Sequence, residues 1–238
     1  MSFIKAIGRI SLKIFKYILL IIILVTLPIL SWFIMGQIQA LILVPDDFIM
    51  WAVGDSIPTL ALFLFMMIAY PVINFTHIKK DQTFLKASNL VKRHKKVSIT
   101  AFLGVAMIIG YYMFTNASVI SSDKIVTHGF FYPQGKEYSY SDIKALHTGT
   151  YNRTIPFIRD KGEFYYIIEL NNGKKINLAN IGGVKDHRDS WLTFMELDQV
   201  FTELDVVKNV DAKNFDSHLK NLDPLYRGRI QNIFENVK

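Results

Sequence analysis

The sequence predicts an α+β membrane protein: three transmembrane helices, then a small antiparallel β-barrel or curved sheet closed by a helix, with one further terminal helix. Three observations lead there. Of the 238 residues, 51% are hydrophobic and the mean hydropathy is +0.25, with uncharged apolar runs confined to residues 1–115. That half holds 11 Lys/Arg against four acids and so carries the whole net charge of +7, while residues 116–238 are neutral. After Phe114 the composition turns to short β-branched and aromatic runs separated by turn residues. One homogeneous soluble domain does not look like this.

Residues 1–16 form a basic amphipathic helix. At 100° per residue, Phe3, Ile4, Ile7, Ile10 and Ile14 share one face, and Lys5, Arg9, Lys13 and Lys16 lie opposite. Such a face suits the anionic inner leaflet. The spans follow at about 17–44, 57–75 and 97–114, each free of charged side chains. A hydrocarbon core needs about 20 apolar residues, and all three reach or approach that length. Pro28 marks a kink in the first, and Gln37 and Gln39 place its far end near the interface. That span is too long, and lacks the small-residue cleavage pattern, for a signal peptide. Tyr111, Tyr112 and Phe114 give the third an aromatic edge. Ala106 and Gly110 are spaced for helix packing.

Orientation follows from the positive-inside bias. The tail and the segment His77–Lys96, with its cluster Lys92, Arg93, Lys95 and Lys96, are basic; the connection between the first two spans carries Asp46, Asp47 and Asp55 and no base. The N-terminus is therefore expected in the cytoplasm and the domain from residue 116 outside. The basic residues lie beside apolar spans without interleaved base-stacking aromatics, which argues against nucleic acid and for membrane lipids as their partner.

In the outer domain, expected over 116–205, the clearest unit is Phe164–Leu170, Asn171-Asn172-Gly173, Lys174–Leu178. Asn-Gly predicts a hairpin with a type I′ turn. Gly182-Gly183 ends the strand region. An amphipathic helix runs from about Asp186 to Leu204, with Asp189 or Asp186 as its cap. Residues 206–238 form a helical extension in which Asp223-Pro224 starts the last helix.

Lys124–Tyr132, the segment Tyr138–Leu146 with its Tyr140-Ser-Asp-Ile143, the Asn-Asn-Gly hairpin and the closing helix together resemble bacterial PH-like domains attached to membrane spans. The resemblance covers about residues 118–205. It implies a binding or assembly module in the bacterial inner membrane, and it brings no catalytic residue set.

The chemistry is sparse. Cysteine is absent, which excludes disulfides, thiolate metal sites and a cysteine nucleophile. No G-x-S-x-G, H-E-x-x-H, Walker or G-x-G-x-x-G pattern occurs. The six histidines match no metal spacing, so no metal and no cofactor are expected. Two surface candidates remain. Arg153, Ile155, Phe157, Ile158 and Arg159 make an apolar-basic loop suited to a protein partner. Lys185, His187 and Arg188 stand before a helix N-terminus and suit an anion. The expected function is a non-enzymatic, membrane-anchored scaffold whose outer domain binds a membrane-complex or envelope partner, with self-association allowed. Its rival is an accessory subunit of a transport or envelope-enzyme system, for which Gln37, Gln39, Ala106 and Gly110 would line a path.

Overall fold

The computed structural model describes residues 33–54, 93–155, 160–213 and 222–236, with residues 22, 26, 30, 60, 215 and 219 besides. The chain divides into two compact units, Met1–Gln37 with Ala61–Ala106, and Ile38–Leu60 with Met107–Lys238. Two apolar helices, α1 (Phe33–Leu43) and α2 (Lys95–Thr115), begin in the first unit and end in the second. Within the second unit the helix ends are joined. The last carbonyls of a helix have no partner inside it. Gln39 Nε2 donates to two of them at the end of α2, Met113 O and Phe114 O, each at 2.9 Å. The glutamine expected at a membrane interface is thus buried and serves as a cap.

The three transmembrane helices expected are not found among the described residues. Among the described residues one helix, Lys96–Thr115, is long and apolar enough to cross a membrane. Its 20 residues rise about 30 Å. The described end of the expected first span is α1, which closes at Leu43 ahead of Pro45. Leu43 is buried against Trp51, Ala117 and Val119, so this end of the run packs on protein. The expected second span lies outside the described residues except for Leu60, as do Lys5, Arg9, Lys13, Lys16 and Lys92.

The expected barrel is also replaced, by two open sheets. The first has the order β4-β3-β2-β1-β8, from β1 (Phe48–Val53), β2 (Ala117–Ser121), β3 (Lys124–Gly129), β4 (Tyr132–Ser139) and β8 (Ile181–Val184). The second has the order β7-β6-β5-β9, from β5 (Ile143–Thr150), β6 (Phe164–Leu170), β7 (Lys175–Asn177) and β9 (Val207–Asp211). β1 comes from the acidic connection between the first two expected spans. It lies antiparallel between β2 and β8, with Trp51 opposite Val119 on one side and Gly183 on the other. β9 comes from the expected helical extension and pairs in parallel with β5, Leu146 opposite Lys208. Among the described residues each sheet therefore ends in two edge strands and neither closes on itself.

The core fills the space between the sheets and two helices, α3 (Ser190–Glu203) and α4 (Pro224–Glu235). β6 alternates strictly, sending Phe164, Tyr166, Ile168 and Leu170 inward. Phe164 meets the rings of Trp191, Phe194 and Phe234 at 5.1, 5.9 and 6.2 Å between centroids. Asp189 caps α3 by accepting from Trp191 N at 2.9 Å, and Asp223 caps α4 by accepting from Leu225 N at 2.8 Å. α4 packs into the core through Ile230, Ile233 and Phe234.

The β6–β7 hairpin differs in its turn. A type I′ turn needs positive φ at both central residues. Here only Gly173 has it, at 83°. Gly173 N donates to Leu170 O at 2.8 Å and Leu170 N to Lys174 O at 2.9 Å. That is the three-residue loop in which the glycine forms a bulge after an ordinary turn.

Candidate partner-binding surface

The outward face of the four-stranded sheet is built by the same alternation that fills the core. Tyr165, Ile167 and Glu169 leave β6 on the side opposite Tyr166 and Ile168. The register sets Gly149 of β5 opposite Tyr165, and His147 opposite Ile167. β7 brings Lys175 opposite Glu169, and β9 brings Asp211 opposite Gly149. Gly149 is what lets Tyr165 lie flat across the sheet, since a Cβ there would stand 2.5 Å from the tyrosine oxygen. Tyr151 extends the aromatic surface, its ring 4.8 Å from that of Tyr165. His147, Tyr151, Tyr165, Ile167, Lys175 and Asp211 border an open cavity of about 410 Å³, with Arg153 exposed on its rim.

At its other end the face is held by one carboxylate. Glu169 takes Lys144 Nζ at 2.7 Å, His147 Nε2 at 3.0 Å and Lys175 Nζ at 3.3 Å. Lys144 foremost, then His147, holds its carboxyl down to about 2 from an ordinary 4.5. Tyr165 is pushed up, first by burial, then by Asp211 and Tyr151. The sign for Glu169 is clear. Its folded value is depressed, so its contribution to stability is present above about 4.5 and is lost as pH falls towards about 2. Acid unfolding followed by tryptophan fluorescence should show the native chain losing its advantage over Glu169→Gln across that interval. Equal separation of the two curves at pH 7 and pH 2 would refute the assignment.

Of the residues singled out from sequence, Arg153 reaches this surface. Ile155 is half-buried in an isolated bridge, and Phe157, Ile158 and Arg159 lie outside the described residues. Lys185, Asp186 and His187 form a single tight turn, with Asp186 and His187 in the left-handed region at φ 54°. Arg188 there is paired with Glu196. The N-terminus of α3 is occupied by the chain's own Asp189, whose carboxyl Arg229 holds below its usual range. At the start of α2, Arg93 and Lys96 are exposed, with Lys95 between them in sequence. Ala106 and Gly110 are half-exposed, and nothing lies within 4 Å of a Cβ placed on Gly110. Among the described residues no three His, Asp or Glu side chains converge to hold a metal ion.

Sequence reasoning missed the buried polar centre. Asp198 on α3 is 1% exposed and accepts from Tyr166 Oη at 2.9 Å, Lys208 Nζ at 2.7 Å and Asn236 Nδ2 at 2.7 Å. Lys208 also donates to Ile233 O and, at 3.0 Å, to Asn236 O, which caps the end of α4. One acid thereby ties β6, β9, α3 and α4 together. The signal was an aspartate one helical turn after Phe194 on the apolar face. A second cavity of about 650 Å³ lies over this centre, between Leu192, Gln199 and Asn232.

The described chain is thus a two-sheet α+β domain continuous with an exposed apolar helix. Compared with family models, with curated proteins and with solved structures, it matches none.

Proposed function

We propose that this protein is a non-enzymatic, membrane-anchored interaction module that presents the outer face of its four-stranded sheet to a protein partner in the membrane or envelope. The carrying observation is the composition of that face. Two tyrosines with rings in tilted contact and an exposed arginine border an open cavity, and Tyr and Arg are the residue types that dominate interface energetics. Lys144 and Lys175 are already paired with Glu169, which leaves the two tyrosines and Arg153 as the main things on offer.

The anchor is α2. It carries exposed Leu103, Val105, Met107 and Ile108, and Asn116 alone separates it from β2. Its basic start and aromatic end fit a helix entering from the cytoplasm, with the domain on the far side. A one-residue connection joins this anchor directly to the five-stranded sheet.

The test is site-specific photo-crosslinking in intact membranes. A crosslinker at Arg153 or Asp211 should give one defined adduct, absent when the same group is placed at Lys124 on the other sheet. Arg153→Glu should abolish the adduct formed from Asp211 while leaving the amount of protein unchanged. Adducts of equal yield from all three positions would overturn the proposal.

A further inference from the structure

The turn between β3 and β4 is filled by the wrong kind of residue for water. Tight turns favour Gly, Asn, Asp and Ser, which satisfy the backbone and face solvent. Here Phe130 and Phe131 form the tip and Tyr132 follows. Phe131 is 82% exposed and Tyr132 60%. From Gly129 to Gly135 the chain has no charged side chain.

The tip has a fixed position. Phe130 packs edge-on against Tyr111 of α2, with centroids 5.1 Å apart, and Phe131 packs edge-on against Phe130 at the same distance. Tyr111 is four residues from the end of α2, or about 6 Å along the axis. The end of α1, tied to Met113 and Phe114 through Gln39, leaves Leu41 and Ile42 exposed at the same end of α2. Three separate segments therefore present apolar side chains around the last turns of the one described helix fit to cross a membrane. Any bilayer that surrounds those turns surrounds the tip too. The amphipathic ring of Tyr132 suits that depth, and the exposed ring of Phe131 beside it gains by leaving water.

We infer that Phe130, Phe131 and Tyr132 form an interfacial foot that inserts into the outer edge of the lipid bilayer beside α2, making lipid a second ligand of the domain. The inference rests on the reading of α2 as a membrane anchor. It has a mechanical consequence: with a helix and a hairpin both seated in lipid, the domain cannot rotate freely about Asn116, and the four-stranded sheet keeps one orientation to its partner.

The natural absence of cysteine allows a direct test on the full chain. Single variants Phe131→Cys, Val105→Cys in mid-helix and Asn172→Cys at the β6–β7 turn are labelled with a fluorophore. Each is reconstituted into vesicles of phosphatidylcholine and phosphatidylglycerol and quenched in turn by lipid nitroxides and by water-soluble iodide. The foot requires that label 131 lose its emission to nitroxides near the headgroups and resist iodide, that label 105 respond to deep nitroxides, and that label 172 respond to iodide alone. Iodide quenching at 131 with lipid quenching at 105 would overturn the foot and keep the anchor. Protection of 131 from both quenchers would mean that protein covers it, which also overturns the foot. Iodide quenching at 105 would overturn the anchor and the foot with it.

Discussion

Replacing Gly182 with valine is expected to disrupt the five-stranded sheet more than any other single change on the surface of the domain. A Cβ at this position would stand 2.4 to 2.6 Å from three carbons of the Trp51 indole, far inside van der Waals contact. Gly183 is nearly as tight, at 2.7 Å from Trp51 Nε1. The indole cannot swing aside, because it belongs to a small core with Leu43, Ala117 and Val119 and is itself 3% exposed. Overpacking of this kind costs about 1–3 kcal/mol, and a rigid ring as the obstacle puts the expected loss at the upper end. Thermal unfolding of the detergent-solubilised full chain should show it. The cause is separable by a double-mutant cycle. Trp51→Ala alone should cost about 3–5 kcal/mol, but in that background Gly182→Val should cost almost nothing more. Additive losses would mean that the indole is not the obstacle. Gly228 supplies the contrast. It lies inside α4 with nothing within 4 Å of a Cβ, so Gly228→Ala should stabilise by up to about 1 kcal/mol.

The same tryptophan explains much of what the sequence concealed. Phe48-Ile-Met-Trp-Ala-Val53 is an unbroken apolar run with no alternation, because β1 is flanked by strands on both sides and its residues 50–52 are all buried. Such a run cannot be told from the tail of a transmembrane segment by periodicity. β8 was hidden by Gly182-Gly183, residues that ordinarily end strands and here exist to admit an indole from 131 positions away. β9 reads as a polar fragment because Lys208 points inward to a buried acid. What local rules govern was legible: the α2 run, the β6–β7 hairpin, Asp189 as one of two candidate caps of α3 and the Asp223-Pro224 start of α4. At the candidate surface Arg153 stood out because it flanks the apolar residues Ile155, Phe157 and Ile158. Tyr151, Tyr165, Lys175 and Asp211 did not, since four different segments bring them together and no spacing along the chain records it.

Removing Asp198 is expected to cost more than removing any exposed charge on the domain. Surface ion pairs such as Lys124–Glu137 contribute little, because water and salt screen them. Asp198 and Lys208 differ because both side chains are out of water, at 1% and 3% exposure. Burial is strong enough to hold the Lys208 ammonium below its ordinary value despite the carboxylate beside it, and it raises Tyr166 well above the usual tyrosine range. Asp198→Asn keeps the shape but strands a buried cation, a change worth about 3–5 kcal/mol. Lys208→Met strands the carboxylate and strips the end of α4 of its donor, so a similar loss is expected. The double variant Asp198→Leu with Lys208→Met discriminates between two accounts. If the pair stood alone, apolar replacement would be neutral or stabilising. Here it would leave the Tyr166 hydroxyl and the carbonyls of Ile233 and Asn236 without these partners, each at about 1–3 kcal/mol where buried, and the Asn236 amide with Thr202 Oγ1 alone. The double variant should therefore remain clearly less stable than the native chain, and adding Tyr166→Phe should recover part of the loss. Full recovery in the double variant would show that the pair serves no network, and that β6, β9, α3 and α4 are held by apolar packing alone.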